Sequence, residues 1–296
     1  MPARPARVVP PILAQPLTSL DEEVTAVSLS PDGKTILLAG SFTSKLVDVA
    51  TGKVRLLKPD YGAVWAARFT PDGRKVLAGI GARLLIWDAQ TGKKLHDLET
   101  NGIVRRITLS RDGGRAATST WEKDVRLWDV GAGRELGGFT MKKSVVNGVA
   151  LAPGADVVAC GGSDGFVRLV DPKSGEVKKA IAGNGWIDVI ERSDDGRLFA
   201  TAGRAAEVVL WTWTGDKLRT LRDMSTAITV LSVSPDGRWV AACGKKAAPL
   251  VWSTATGKVA CALEGHDKVG ALCFGFDGRS IVTAGSPFVT VWEAPK

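Results

Sequence analysis

Short apolar runs alternate with polar, Gly-containing turns along the chain, and the alternation itself repeats. A β-branched residue recurs at Val24, Val64, Val104, Val146, Ile187, Ile228 and Val269. Each stands nine residues before the second member of a turn dipeptide: Asp32-Gly33, Asp72-Gly73, Asp112-Gly113, Gly154-Ala155, Asp195-Gly196, Asp236-Gly237 and Asp277-Gly278. The steps between these dipeptides are 40, 40, 42, 41, 41 and 41 residues. A second marker runs in phase at Val47-Asp48, Trp87-Asp88, Trp128-Asp129, Val170-Asp171, Trp211-Thr212, Trp252-Ser253 and Trp292-Glu293. A third follows at Thr51-Gly52, Thr91-Gly92, Ala132-Gly133, Ser174-Gly175, Thr214-Gly215 and Thr256-Gly257. Between these landmarks the apolar positions predict four short strands per copy. Asp-Gly is expected to supply the positive-φ positions of a tight hairpin, the third strand carries the Trp, and Thr-Gly turns the chain into the fourth. No stretch keeps the roughly 3.6-residue period of a long amphipathic helix.

A four-stranded meander of about 40 residues cannot bury both faces alone. Stacking seven copies around an axis buries them all, which predicts an all-β, seven-bladed β-propeller with four-stranded antiparallel blades. The seventh copy stops at Trp292-Glu293, before a fourth strand. Ile12 to Leu20 reads as a fourth strand with its following loop, so this N-terminal strand is expected to close the last blade. Pro16 suits such an outer edge, where a missing N–H is tolerated. The layout predicted is a tail at 1–11 and a single propeller at 12–296. Its blades fall near 24–60, 61–100, 101–142, 143–183, 184–224, 225–264, and 265–296 plus 12–20.

The Asp-Gly hairpins, Trp-Asp endings, Thr-Gly-Lys turns and the Gly265-His266 dipeptide give the chain a specific likeness. Over about residues 12–296 it resembles the WD-repeat (WD40) β-propeller family. In that family a His after strand four, a Ser or Thr in strand two, a loop Asp and the strand-three Trp form a hydrogen-bonded tetrad. The resemblance implies structural roles for Trp87, Trp128, Trp211, Trp252 and Trp292, for His266 and for Thr283. The other His positions hold Asp21, Tyr61, Asn101, Lys143, Asn184 and Ser225. The hydroxyl position matches at Thr118, Thr201 and Thr283, and the loop Asp at Asp164, with Glu122 a near match. No copy carries the whole set, so blade cohesion is expected to rest on apolar packing. One inner position also breaks pattern. Leu29, Phe69, Leu109, Leu151, Val233 and Phe274 occupy it elsewhere, whereas the fifth copy has Arg192. That charge is expected to take Glu191 or water as partner, or to snorkel to solvent at the bottom of the channel.

Composition sharpens two points. The chain is 45% hydrophobic and 24% charged, which excludes disorder as its dominant state. It holds 10 Trp against 8 Phe and 1 Tyr. The strand-three markers absorb half of these Trp and leave Trp65, Trp121, Trp186, Trp213 and Trp239. Loops joining strand four to strand one, and strand two to strand three, share one face, the top. Trp65, Trp121 and Trp186 map there beside Tyr61, with Arg105, Arg106, Lys142 and Lys143 as basic neighbours. Thr25, Trp65, Arg105, Asn147, Asp188, Thr229 and Gly270 are expected at the channel mouth. Exposed aromatics are favoured interface anchors, so these residues read as a surface for an acidic peptide or protein. The competing reading is that Trp65 and Trp186 cap blade cores and Tyr61 replaces a missing His. The net charge of +8 comes largely from turns. Lys34, Arg74, Arg197, Arg238 and Arg279 each follow an Asp-Gly, while Lys53, Lys93, Arg134, Lys217 and Lys258 line the opposite, bottom rim.

Catalytic signatures are absent: there is no P-loop, G-x-S-x-G or H-E-x-x-H. His96 lies in an outer strand, and Cys160, Cys243, Cys261 and Cys273 lack metal-site spacing. Asn147 with Asp188 makes a poor cation cage, so neither metal nor cofactor is expected. No apolar run approaches the length of a membrane helix, and the Pro-rich N-terminus lacks a signal core, so a cytoplasmic protein is expected. The function expected is a monomeric, non-catalytic scaffold that binds a protein or peptide through its top face, without nucleic acid or membrane. Two alternatives stand beside it: a propeller enzyme with a site in the central channel, and a non-specific polyanion binder using the basic bottom rim.

Overall fold

The computed structural model describes residues 7–8, 11–16, 24–40, 43–57, 62–141, 144–244, 247–265, 268–285 and 288–296. Among these residues the strands form seven sheets, each built on an antiparallel meander of consecutive strands. Their first strands, Val24–Leu29, Val64–Phe69, Val104–Leu109, Val146–Leu151, Ile187–Arg192, Ile228–Val233 and Ala271–Phe274, surround a central channel, whose cavities are lined by all of them but the fully buried Val146–Leu151. Each packs against the first strand of the next sheet, and the last packs against the first, which closes the ring. The chain is therefore a seven-bladed β-propeller.

Closure uses the N-terminus as the sequence predicts. Pro11–Pro16 pairs antiparallel with Phe288–Glu293, in register Leu13 with Val291 and Gln15 with Val289. Arg7–Val8, within the segment read as a tail, adds a short parallel edge to blade six, opposite Cys261 and Ala262.

Packing follows the radial logic. Seven apolar clusters each span two neighbouring blades. The cluster between blades one and two, for example, joins Leu37, Leu46 and Leu57 to Val64, Phe69 and Trp87. The strand-three markers Trp87, Trp128, Trp211, Trp252 and Trp292 are all buried. Three indoles donate to the strand-two hydroxyl of their own blade: Trp128 to Thr118 at 2.9 Å, Trp211 to Thr201 at 2.9 Å and Trp292 to Thr283 at 2.7 Å. Blade six lacks that hydroxyl, and Trp252 donates instead to the Arg222 carbonyl at 2.8 Å. Hydroxyls also stitch blades together: Ser28, Thr108 and Ser232 accept from the backbone N–H of Phe69, Leu151 and Phe274 on the next blade. His266 lies outside the described residues.

The Asp-Gly hairpin is larger than the sequence suggests. Ser30 N–H bonds the Thr35 carbonyl and Gly33 N–H bonds the Ser30 carbonyl, so four residues make the loop. Only the glycine is left-handed, as at Gly33 (φ +70°) and Gly113 (φ +70°). Asp32 stays in an ordinary conformation and uses its carboxylate, accepting from Ser30 Oγ at 2.6 Å and Lys34 N at 3.1 Å. These donors hold its pKa below the usual carboxylate value. In blade four Ala155 takes the left-handed place itself, at φ +59°.

Cations of the outer strands, distinct from the rim residues Lys53, Lys93, Arg134, Lys217 and Lys258, are partly structural. Outer-strand side chains reach the strand-three-to-four turn of the next blade: Arg55 to the Gln90 carbonyl, Lys179 to Thr214 at 2.7 Å, and Arg219 to Ala255 at 2.8 Å. His96 does the same, with Nε2 at 3.1 Å from the Gly131 carbonyl. Part of the positive excess therefore caps carbonyls between blades.

Candidate functional site: the top face and upper channel

Strand one of blade two enters from the top with Trp65 as its second residue, and the strand-two-to-three loop of blade three begins with Trp121. The two indoles meet edge to face, with ring centroids 6.3 Å apart and planes at 75°. Both remain exposed, Trp65 at 41% and Trp121 at 45%. Neither is a buried cap on a blade core. The Arg105 guanidinium lies over Trp121 at 4.3 Å, in the range of a cation–π contact.

Trp186 is likewise exposed, at 41%, but it forms a separate unit. Arg204 covers its ring at 3.4 Å. Arg204 opens the strand-two-to-three loop of blade five, the place Trp121 takes in blade three. Both residues donate their backbone N–H to the residue that precedes strand one: Trp121 to Ile103 at 3.1 Å and Arg204 to Trp186 at 3.2 Å. The sequence reading missed Arg204, although its spacing from Trp121 matches the repeat. The remaining extra indoles, Trp213 and Trp239, pack against blade cores.

A polar chain crosses blades three to five at the channel mouth. Arg105 Nη1 donates to Asn147 Oδ1 at 2.7 Å, and Asn147 Nδ2 donates to Asp188 Oδ1 at 3.2 Å. Asn147, proposed from sequence as a surface contact, is only 5% exposed and spends its amide on this bridge. Arg106 turns toward the axis. Its longest-reaching nitrogens lie 3.4 Å from the Arg105 carbonyl and 3.5 Å from the Asp188 carbonyl, too far for strong bonds. Burial, with Arg105 alongside, lowers its pKa to about 10, so it stays charged near neutrality. Tyr61, Lys142 and Lys143 lie outside the described residues.

Below this layer Arg68 of blade two and Glu191 of blade five form an ion pair across the channel. Arg68 Nε also donates to the Ile107 carbonyl at 2.8 Å. The pair divides the channel into an upper cavity of about 330 Å³ and a lower one of about 80 Å³, both of which it lines. Arg192 consequently has a different partner from the one the sequence suggests. It pairs with Asp194 at 3.0 Å and donates to the Leu109 carbonyl at 2.8 Å, and its side chain is 7% exposed, so it does not snorkel to solvent.

Chemical nucleophiles are subdued. Burial raises the thiols of Cys160, Cys243 and Cys273 to about 12. Among the described residues no three His, Cys, Asp or Glu side chains converge to hold a metal ion.

Seven meandering blades, Trp-anchored third strands and a closing N-terminal strand define a repeat-built propeller with a decorated top face. The chain belongs to the family described as WD domain, G-beta repeat, whose model matches residues 92–129, 133–171, 215–252 and 257–293, about half of its length. Protein sof1 of Schizosaccharomyces pombe is 29% identical over 100 residues, covering 34% of this chain and 22% of that protein. The U3 small nucleolar RNA-associated protein 18 homolog of Homo sapiens is 28% identical over 166 residues, covering 55% and 29% respectively. The serine-threonine kinase receptor-associated protein of Dictyostelium discoideum is 26% identical over 156 residues, covering 51% and 52%. The chain thus spans from about a fifth to a half of these curated relatives.

Proposed function

We propose that this propeller is a non-catalytic scaffold whose top face binds an acidic segment of a protein or peptide partner. The observation that carries the reading is the exposed Trp65–Trp121 pair with Arg105 on its ring. Aromatic side chains backed by guanidinium are the residue types that most often dominate interface energy. The Trp186–Arg204 stack supplies a second contact of the same chemistry. Relatives named for association with a kinase receptor and with a small nucleolar RNA support a role within larger assemblies. The raised thiols give no support to a nucleophilic enzyme.

The test compares proteins captured from a cell extract by the wild type and by a Trp65→Ala/Trp121→Ala double variant. Loss of a captured partner by about 30-fold, the scale of a single interface hot spot, is expected with an unchanged melting temperature. Equal capture by both would overturn the reading.

A further inference from the structure

We infer that the upper channel is a binding site for a monocarboxylate, seated on Arg106. Four guanidiniums, of Arg68, Arg105, Arg106 and Arg192, meet three carboxylates, of Asp188, Glu191 and Asp194, around the axis. Arg68 is matched by Glu191 and Arg192 by Asp194. Asp188 is left to serve both Arg105 and Arg106, and its carboxylate is already held by Asn147. One positive charge is therefore unmatched in a partly enclosed space. Lys268 also lines the cavity but is exposed at its rim, where solvent and salt screen its charge, so the guanidiniums and carboxylates below set the balance.

The unmatched group is Arg106, the guanidinium with the poorest hydrogen bonds in the set. Its two contacts, at 3.4 and 3.5 Å, leave its planar fork of donors underused. Such a fork matches a carboxylate in two parallel bonds. Beside it lies the upper cavity of about 330 Å³, walled by Trp65, Thr25 and Thr229, at the lower end of the range for small-ligand sites. Charge sets the valence of the guest. A single negative charge neutralises the layer, whereas a dianion would leave surplus negative charge beside Asp188 and Glu191 at low dielectric. This inference does not rest on the proposed partner surface, because the cavity admits a free carboxylate as readily as one carried on a chain.

The test uses saturation-transfer NMR and thermal melts of the full chain in low-chloride buffer. Propionate stands for a free carboxylate and N-acetylglutamate amide for one presented on a peptide. N-acetylglutamine amide is the uncharged isostere and sulfate the dianion. Both carboxylates are expected to show saturation transfer and to raise the melting temperature at millimolar concentration, while the isostere and sulfate do neither. Tighter binding of the peptide-like probe assigns the site to a partner's side chain; tighter binding of propionate assigns it to a small molecule. Arg106→Met should abolish both effects and, without ligand, melt no lower than wild type, because it removes an uncompensated charge. Should that variant not fold, Arg106→Lys keeps the charge, loses the fork and should bind about tenfold more weakly. Absence of binding by both carboxylates, equal binding of the glutamine amide, preference for sulfate, or retained binding in Arg106→Met would each overturn the site.

Discussion

The bottom and top faces of the ring are built on opposite principles. On the bottom the same turn recurs six times, with the carboxylates of Asp32, Asp72, Asp112, Asp195, Asp236 and Asp277 each accepting the backbone N–H two residues on. Asp48, Asp88, Asp129 and Asp171 close the other bottom turn in a similarly uniform way. On the top, equivalent positions differ: Trp65 where another blade has Asp188, and Trp121 where another has Arg204. Repetition marks residues that satisfy their own blade. Departure from repetition marks residues whose aromatic faces and guanidiniums are turned outward or toward the axis.

The largest test of this contrast is removal of residues 1–20. It strips Phe288–Glu293 of its pairing with Pro11–Pro16 and opens the ring, so the melting temperature should drop further than for any point variant. An unchanged melt would mean that the closing strand adds nothing. Next, Trp128→Ala at a repeated position removes a buried indole and its bond to Thr118, for an expected loss of about 3–5 kcal/mol by denaturant titration. Smaller again is Asp112→Ala on the bottom face, which frees the Ser110 hydroxyl and Gly114 N–H and should cost about 1 kcal/mol. The same turns predict an acid response. Hydrogen bonds from Ser30 and Lys34 to Asp32, and from Ser110 and Gly114 to Asp112, depress these carboxyls below 3.8. Their stabilisation is present above that pH and is lost as pH falls through the lower folded-state values. Melts should therefore weaken below about pH 4, and Asp112→Ala should flatten that slope. The smallest effect on stability, within about 0.5 kcal/mol, belongs to Trp121→Ala on the top, even though binding should suffer most there. A large destabilisation by Trp121→Ala would erase the distinction between the faces.

Periodicity made the architecture readable. The constant steps between turn dipeptides gave blade number and phase, while the resemblance to WD repeats implied that Thr118, Thr201 and Thr283 partner the strand-three indoles. Ring closure was readable because Trp292-Glu293 ends a copy one strand short. The hairpin geometry was not, since Asp-Gly alone does not separate a two-residue turn from a four-residue loop in which only Gly33 is left-handed. The channel layer was also hidden. Arg68 and Glu191 lie 123 residues apart, and nothing local in either copy announces the other. Asn147 looked like a surface amide because its neighbours on adjacent blades, Arg105 and Asp188, are 42 and 41 residues away. Trp186 was singled out, but its partner Arg204 was passed over because a single arginine in a loop is unremarkable until the repeat is superimposed.

The Arg68–Glu191 bar serves as floor to the upper cavity and roof to the lower one, since both side chains line both spaces. A guest that shifted either side chain would therefore reshape both cavities at once.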